Sequence, residues 1–299
     1  MKYLQLTGAL VGLVLVAACS SVQILGDEPT DGAGAATSSA GGQGAGGTAV
    51  ASTSTGSDPT GGTSTGSGDD PGPASGSCHE DVSQILSPPI ANATCPTLVA
   101  GKNTIQTQGS REFLFVLPSD HDPSEVLPVV FLWHWLGGSA KSFLEKGDVQ
   151  TAVDHYRVLA VIPESKQDGL FKWPIESVQT QARIDEELEF FDHMLSCVSA
   201  QYQVNAQCVS SIGVSAGALF TQILASGRGE LLSSFVSLSG GSGGLIQPWN
   251  GSDNKMPAMV LWGGPKDNCL GLMDFNQTSQ TLESELAADG HFVLECIHN

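Results

Sequence analysis

The chain has 299 residues, 40% of them apolar, and sets 31 acidic against 12 basic side chains for a formal net charge of −19. That balance excludes nucleic acid as a partner, because phosphate binding needs clustered Lys and Arg. Composition changes sharply along the chain, so length alone does not set the number of domains.

Residues 1–18 open on Lys2 and run through Leu10-Val11-Gly12-Leu13-Val14-Leu15-Val16 to small residues before Cys19. A basic start, a short apolar run and a small-residue site are the layout of a secretory signal, and the run is short for a bilayer span. Val16-Ala17-Ala18-Cys19 resembles a bacterial lipoprotein lipobox. The resemblance implies cleavage before Cys19 and acylation of its thiol and new amino end, which would hold the protein at the cell surface or outside the cell on a bacterial membrane. The other reading is an ordinary signal peptide with a cysteine close by.

Residues 19–77 follow, and from Asp27 to Ser77 they are almost all Gly, Ser, Thr, Ala, Pro and Asp. No apolar periodicity offsets the entropy of ordering them, so a disordered tether is expected, with a reach on the order of 40 Å. Residues 78–299 hold every long apolar run outside the signal and read as one domain. Membrane contact is expected through the lipid anchor alone, and the domain is expected to be a monomer.

In chain order, short runs rich in β-branched and aromatic residues predict strands at Glu112 to Leu117, Val129 to Trp133, Val158 to Ile162, Val209 to Gly213, Phe235 to Leu238, Ala258 to Trp262 and Phe292 to Ile297. Val129-Val130-Phe131-Leu132-Trp133 is apolar throughout, which suits a strand covered on both faces. Helical spacing of Ile184, Leu188, Phe191, Leu195 and Val198 predicts a helix from Arg183 to Val198, with others from Ala216 to Ala225 and from Ser279 to Asp289, stopped by Gly290. Strands alternating with helices predict an α/β domain with a mostly parallel, doubly wound sheet flanked by helices.

Beyond Cys19 there are six cysteines, an even count that in an exported protein suggests disulfides. Close spacing favours Cys78 with Cys95 and Cys197 with Cys208, leaving Cys269 with Cys296. No Cys-x-x-Cys or paired Cys/His spacing points to zinc, and no dinucleotide fingerprint stands at a strand-helix junction. No metal or organic cofactor is expected.

The pattern G-x-S-x-G occurs three times, around Ser64, Ser215 and Ser242. Only Gly213-Val214-Ser215-Ala216-Gly217 has a strand pattern before it and a helix pattern directly after it. That frame makes a nucleophile elbow, in which a turn too sharp for bulky neighbours lifts the serine hydroxyl above the sheet. The N–H of Ala216 would then face a developing oxyanion. A second donor is expected from His134-Trp135-Leu136-Gly137-Gly138, after the apolar strand at 129–133, with Leu136 N–H as the candidate.

These segments resemble the polyhydroxybutyrate depolymerase and feruloyl esterase group of secreted α/β-hydrolases, over roughly Arg111 to Asn299. The landmarks are Arg111-Glu112-Phe113 with Pro118, the His134 loop, Val161-Ile162-Pro163-Glu164, Trp173, the helix from Arg183, Cys197 and the Ser215 elbow. The resemblance implies an α/β-hydrolase fold and a serine esterase acting on polyhydroxyalkanoate, feruloyl or acetyl esters. Many relatives have Gly where this chain has Trp135, which puts the second oxyanion donor in question.

In this fold the acid follows a late strand and precedes the histidine in the chain. Asp267, after Met259 to Trp262, occupies that place, with Asp274 as the alternative. The histidine belongs after the final strand, where only His298 and Asn299 remain. Either His298 is the base, or the base lies beyond Asn299 in a longer chain that also carries the closing helix of the resembling enzymes. His134 fits the oxyanion loop, His291 begins a strand, and His79, His121, His155 and His193 have no triad context. Two rivals stand beside the esterase: a catalytically inactive surface lipoprotein using the fold as a binding module, and an acyltransferase with the same nucleophile.

Overall fold

The computed structural model describes residues 21–25, 84–269, 271 and 273–298. The expected signal, the acylated Cys19 and most of the expected tether lie outside the described residues. Within 19–77, Ser21–Leu25 forms strand β1.

Ten strands follow: β2 Gly101–Gln106, β3 Ser110–Val116, β4 Leu127–Trp133, β5 Leu159–Pro163, β6 Val204–Val214, β7 Ser234–Leu238, β8 Ala258–Trp262, β9 Asn268–Cys269, β10 Met273–Asp274 and β11 Val293–Ile297. Nine of the strands make one sheet in the order β1-β11-β8-β7-β6-β4-β5-β3-β2. Neighbours from β11 across to β5 are parallel, while β1, β3 and β2 pair antiparallel at the margins. This is the fold of the α/β-hydrolases.

The helices are α1 Ala140–Lys146, α2 Val149–Tyr156, α3 Gln181–Gln201, α4 Ala216–Gly227 and α5 Phe275–Ala288. Alternate residues of β4 send side chains to opposite faces, and both faces are covered. Phe131 and Trp133 join the larger core with Phe191, Leu195, Leu219 and Phe220 of α3 and α4. Val130 and Leu132 pack with Phe143 of α1 and Val149 and Val153 of α2. Every residue of β4 is buried, as its unbroken apolar run predicts.

Two departures from expectation matter for the site. Cys95 is bonded to Cys197, across 102 residues of chain, which overturns both Cys78–Cys95 and Cys197–Cys208. The cause is the segment before β2: Ile90 N–H donates to Ser196 Oγ, Leu98 N–H donates to Gln201 Oε1, and the Gln201 amide donates back to Pro96 O. These bonds lay residues 90–98 along the last turns of α3 and bring Cys95 to Cys197. Cys269 is a free thiol, so Cys269–Cys296 is overturned as well, and Cys208 and Cys296 are both disulfide-bonded.

Candidate active site

Parallel strands end on one edge of a sheet, so residues distant in sequence meet there. β4, β6, β7, β8 and β11 all deliver their following loops to this edge.

Ser215 stands between β6 and α4 with φ 55 and ψ −119, a conformation that costs a non-glycine residue of order 1–3 kcal/mol. The backbone around it leaves no alternative. A Cβ on Gly213 would stand 2.1 Å from the Gly217 carbonyl oxygen, and one on Gly217 would stand 2.0 Å from the Trp133 carbonyl oxygen. Glycine at both ends is therefore a packing requirement, and the turn is pressed directly against β4. Ser215 N–H donates to Leu238 O (2.8 Å), continuing the β6–β7 ladder, while Leu219 N–H donates to Ser215 O to begin the helix. The Ser215 side chain is left partly exposed at the edge.

Ser242, in the rival motif, is buried, donates through Oγ to Glu285, and has its own N–H on Thr278 O (3.1 Å). Its hydroxyl secures a loop to α5. Ser64 lies outside the described residues.

Among the described residues, neither Ala216 N–H nor Leu136 N–H donates to a backbone carbonyl. The His134 to Gly138 loop is closed by Gly138 N–H on Trp135 O (2.9 Å), with Gly137 at φ 72. His134 is 1% exposed. Its Nδ1 lies 2.9 Å from Trp135 O, its Nε2 accepts from Ser165 N–H (3.3 Å), and its carbonyl accepts from Trp173 Nε1 (2.9 Å). Glu164 Oε2 accepts from Ala140 N–H (2.9 Å) at the start of α1. Sequence reasoning placed His134 in the oxyanion loop and named Glu164 only as a landmark; together they pin the loop that carries Leu136.

Asp267 follows β8 through a 3-10 turn, Gly264–Lys266. Its Oδ2 accepts from Gly263 N–H (2.8 Å) and from Ser239 Oγ (2.7 Å). Asp274 instead caps α5, accepting from Gln277 N–H (3.1 Å) through an exposed side chain. His298 N–H donates to Trp262 O (2.8 Å), extending the β11–β8 ladder by one residue. The backbone of His298 thus lies beside the Trp262-Gly263 link, where the loop to Asp267 begins.

Sequence reasoning missed Ser239, which directly precedes the rival Gly-rich motif. The remaining described histidines stay away from this group: buried His291, for example, is engaged by Met256 O (2.8 Å) and lies 3.3 Å from Asp289. A cavity of about 590 Å³ lies at the opposite end of the strands, lined by Gln207, Ser234, Lys255 and Pro257 among others, and contains none of the groups above. Among the described residues no cluster of three or more His, Cys, Asp and Glu side chains could hold a metal ion.

No family model matches the chain, and no curated protein matches it. Solved structures do. A native sOPH structure superposes with a TM-score of 0.55 at 16% identity, covering 69% of this chain and 82% of its own. Native pOPH gives 0.54 at 13% identity, covering 70% and 84%. A ferulic acid esterase gives 0.51 at 14% identity, covering 66% and 90%. At these identities the likeness is one of fold.

Proposed function

We propose that the chain is an exported, lipid-anchored serine hydrolase that cleaves carboxylic esters through an acyl-enzyme. The observation that carries this reading is Ser215, a partly exposed non-glycine residue held at positive φ between a parallel strand and a helix. Strain at such a place persists only where its surroundings over-determine it, as Gly213 and Gly217 do here.

The chemistry follows from the positions. Ser215 Oγ attacks the ester carbonyl carbon while its proton passes to the base, His298 or a histidine beyond Asn299. The carbonyl oxygen takes the negative charge between Ala216 N–H and Leu136 N–H. Collapse breaks the bond to the alcohol oxygen, which leaves with the proton from the base, and Ser215 stays acylated. Water then attacks, gives its proton to the base, and the acid departs as Ser215 recovers its own. Asp267 holds the imidazole in the productive tautomer and stabilises its charged form. The ferulic acid esterase with the same fold supports an ester as substrate. Acylation of Cys19, two residues before β1, would hold the enzyme at a membrane surface.

A fluorophosphonate probe tests the nucleophile. It should label the unmutated protein and leave Ser215→Ala unlabelled, and hydrolysis of a short-chain aryl ester should fall at least about 1,000-fold in that variant. Equal hydrolysis by both proteins would overturn Ser215 as the nucleophile, and hydrolysis by neither above the buffer rate would leave the inactive binding module. Labelled protein should partition with bacterial membranes and be released by Cys19→Ala; partition unchanged in that variant would remove the anchor from the proposal.

A further inference from the structure

The geometry points to Ser239 as a positioning residue for the catalytic acid, a role that rests on the triad reading of Ser215 and Asp267. Ser239 follows β7 at φ 49, a left-handed conformation uncommon outside glycine and asparagine. It is fixed from both sides. Its own N–H donates to Leu261 O (2.6 Å) on β8. After it, Gly240 and Gly241 wedge against the two neighbouring helices: a Cβ on Gly240 would stand 2.6 Å from Ala218 Cβ, and one on Gly241 would stand 2.1 Å from the Thr278 carbonyl carbon. Thr278 Oγ1 donates to Gly240 O (2.6 Å), clamping the loop to α5.

The result is a hydroxyl on a rigid stem, 2.7 Å from Asp267 Oδ2. Gly263 N–H reaches the same oxygen at 2.8 Å. With both donors on Oδ2, Oδ1 is the oxygen presented to an imidazole N–H. A carboxylate on a short side chain can rotate about χ2, and one backbone donor leaves that rotation loosely limited. Two donors from different strands limit it, so the imidazole meets a carboxylate in a single orientation. The Ser239 bond has an electrostatic consequence too: a donor on the carboxylate draws off negative charge and lessens its stabilisation of the imidazolium.

Ser239→Gly deletes the hydroxyl and relieves the positive φ, so the variant should fold at least as well as the parent. Its kcat on an aryl ester should fall about 10-fold or more, with KM changed by less than about 2-fold. The acidic limb of its pH-rate profile should move to higher pH, because the imidazolium gains what the carboxylate recovers. Ser239→Asn, which tolerates the left-handed conformation and restores a donor, should recover part of kcat and move the limb back. Unchanged kcat and an unmoved limb in Ser239→Gly, with the parent active and labelled at Ser215, overturn the role of Ser239 alone. A parent that is neither active nor labelled overturns the triad reading beneath it.

Discussion

Glu283 gives the sharpest test of the energetics where α5 packs beside β11, the strand that leads to His298. It lies on α5, only 5% exposed, and its Oε1 has no hydrogen-bond partner among the described residues. Burial, and then the like charge of Glu295 on β11, push its carboxyl from the ordinary 4.5 up to about 8. Below the unfolded value both states hold the proton and the group costs nothing. As pH rises through the interval, the unfolded chain ionises while the folded one keeps its proton, so stability falls by about 1.4 kcal/mol per pH unit and levels off past the folded value. At pH 7 the loss comes to roughly 3 kcal/mol. Glu283→Gln should therefore have nearly the parent's stability at pH 4 and exceed it by up to about 3 kcal/mol at pH 7, a shift of about 6–12 °C in melting midpoint for a domain of this size. Burying the amide has its own cost, but that cost does not vary with pH, so the difference in slope is the measurement. Melts followed by tryptophan fluorescence at four values between pH 4 and pH 8 supply it. Parallel stability curves for the two proteins would show that the carboxyl is ionised in the folded state and that the argument from burial is wrong.

Two further outcomes follow from backbone contact and buried charge. Gly217→Ala would place a Cβ 2.0 Å from Trp133 O and 2.8 Å from His134 O, both backbone atoms that cannot swing aside; stability should drop by about 3 kcal/mol and fluorophosphonate labelling by about 100-fold, whereas labelling at the parent rate would remove the elbow as the source of reactivity. Glu187, fully buried on α3, accepts from Arg111 Nη2 (2.9 Å) and lies 2.8 Å from Arg183 Nη1; Glu187→Gln leaves the buried Arg111 guanidinium without a countercharge, while Arg183 keeps Asp168 and Glu186, and should lower stability by about 3 kcal/mol in urea titration, with an unchanged midpoint counting against any net role for the network.

Strands covered on both faces announce themselves in sequence, because nothing interrupts the apolar run; β4 and β5 were legible for that reason. β2 was not, since Gly-Lys-Asn-Thr-Ile-Gln buries only Asn103 and Ile105, and one of those is polar. The Asn103 carboxamide is satisfied by Val99 and Gly101 of its own turn, which is what makes the burial tolerable and the pattern misleading. Helices α1 and α2 have seven and eight residues, too few turns for a periodic pattern to stand out. The elbow could be read because strand, turn and helix are contiguous. Ser239 and the Cys95–Cys197 bond could not, because each depends on which distant segments the sheet and α3 bring together.

Trp135, where many of the resembling enzymes have Gly, is accommodated without backbone strain. Its backbone is not among the positive-φ residues, so nothing at that position requires glycine. Its ring folds back over Phe143 (6.0 Å between centroids) and takes the Lys146 ammonium on its face (5.2 Å), so the bulk is directed onto α1. The turn is closed at Gly138, by its N–H on Trp135 O, and the left-handed residue within it is Gly137. A side chain at 138 would meet the Trp135 ring and carbonyl at 3.0 Å, whereas a Cβ at 137 would meet nothing within 4 Å and only the conformational penalty would remain. The loop that carries Leu136 is therefore held by the two glycines after it and by the pinned His134 before it, and the indole packs the loop against α1.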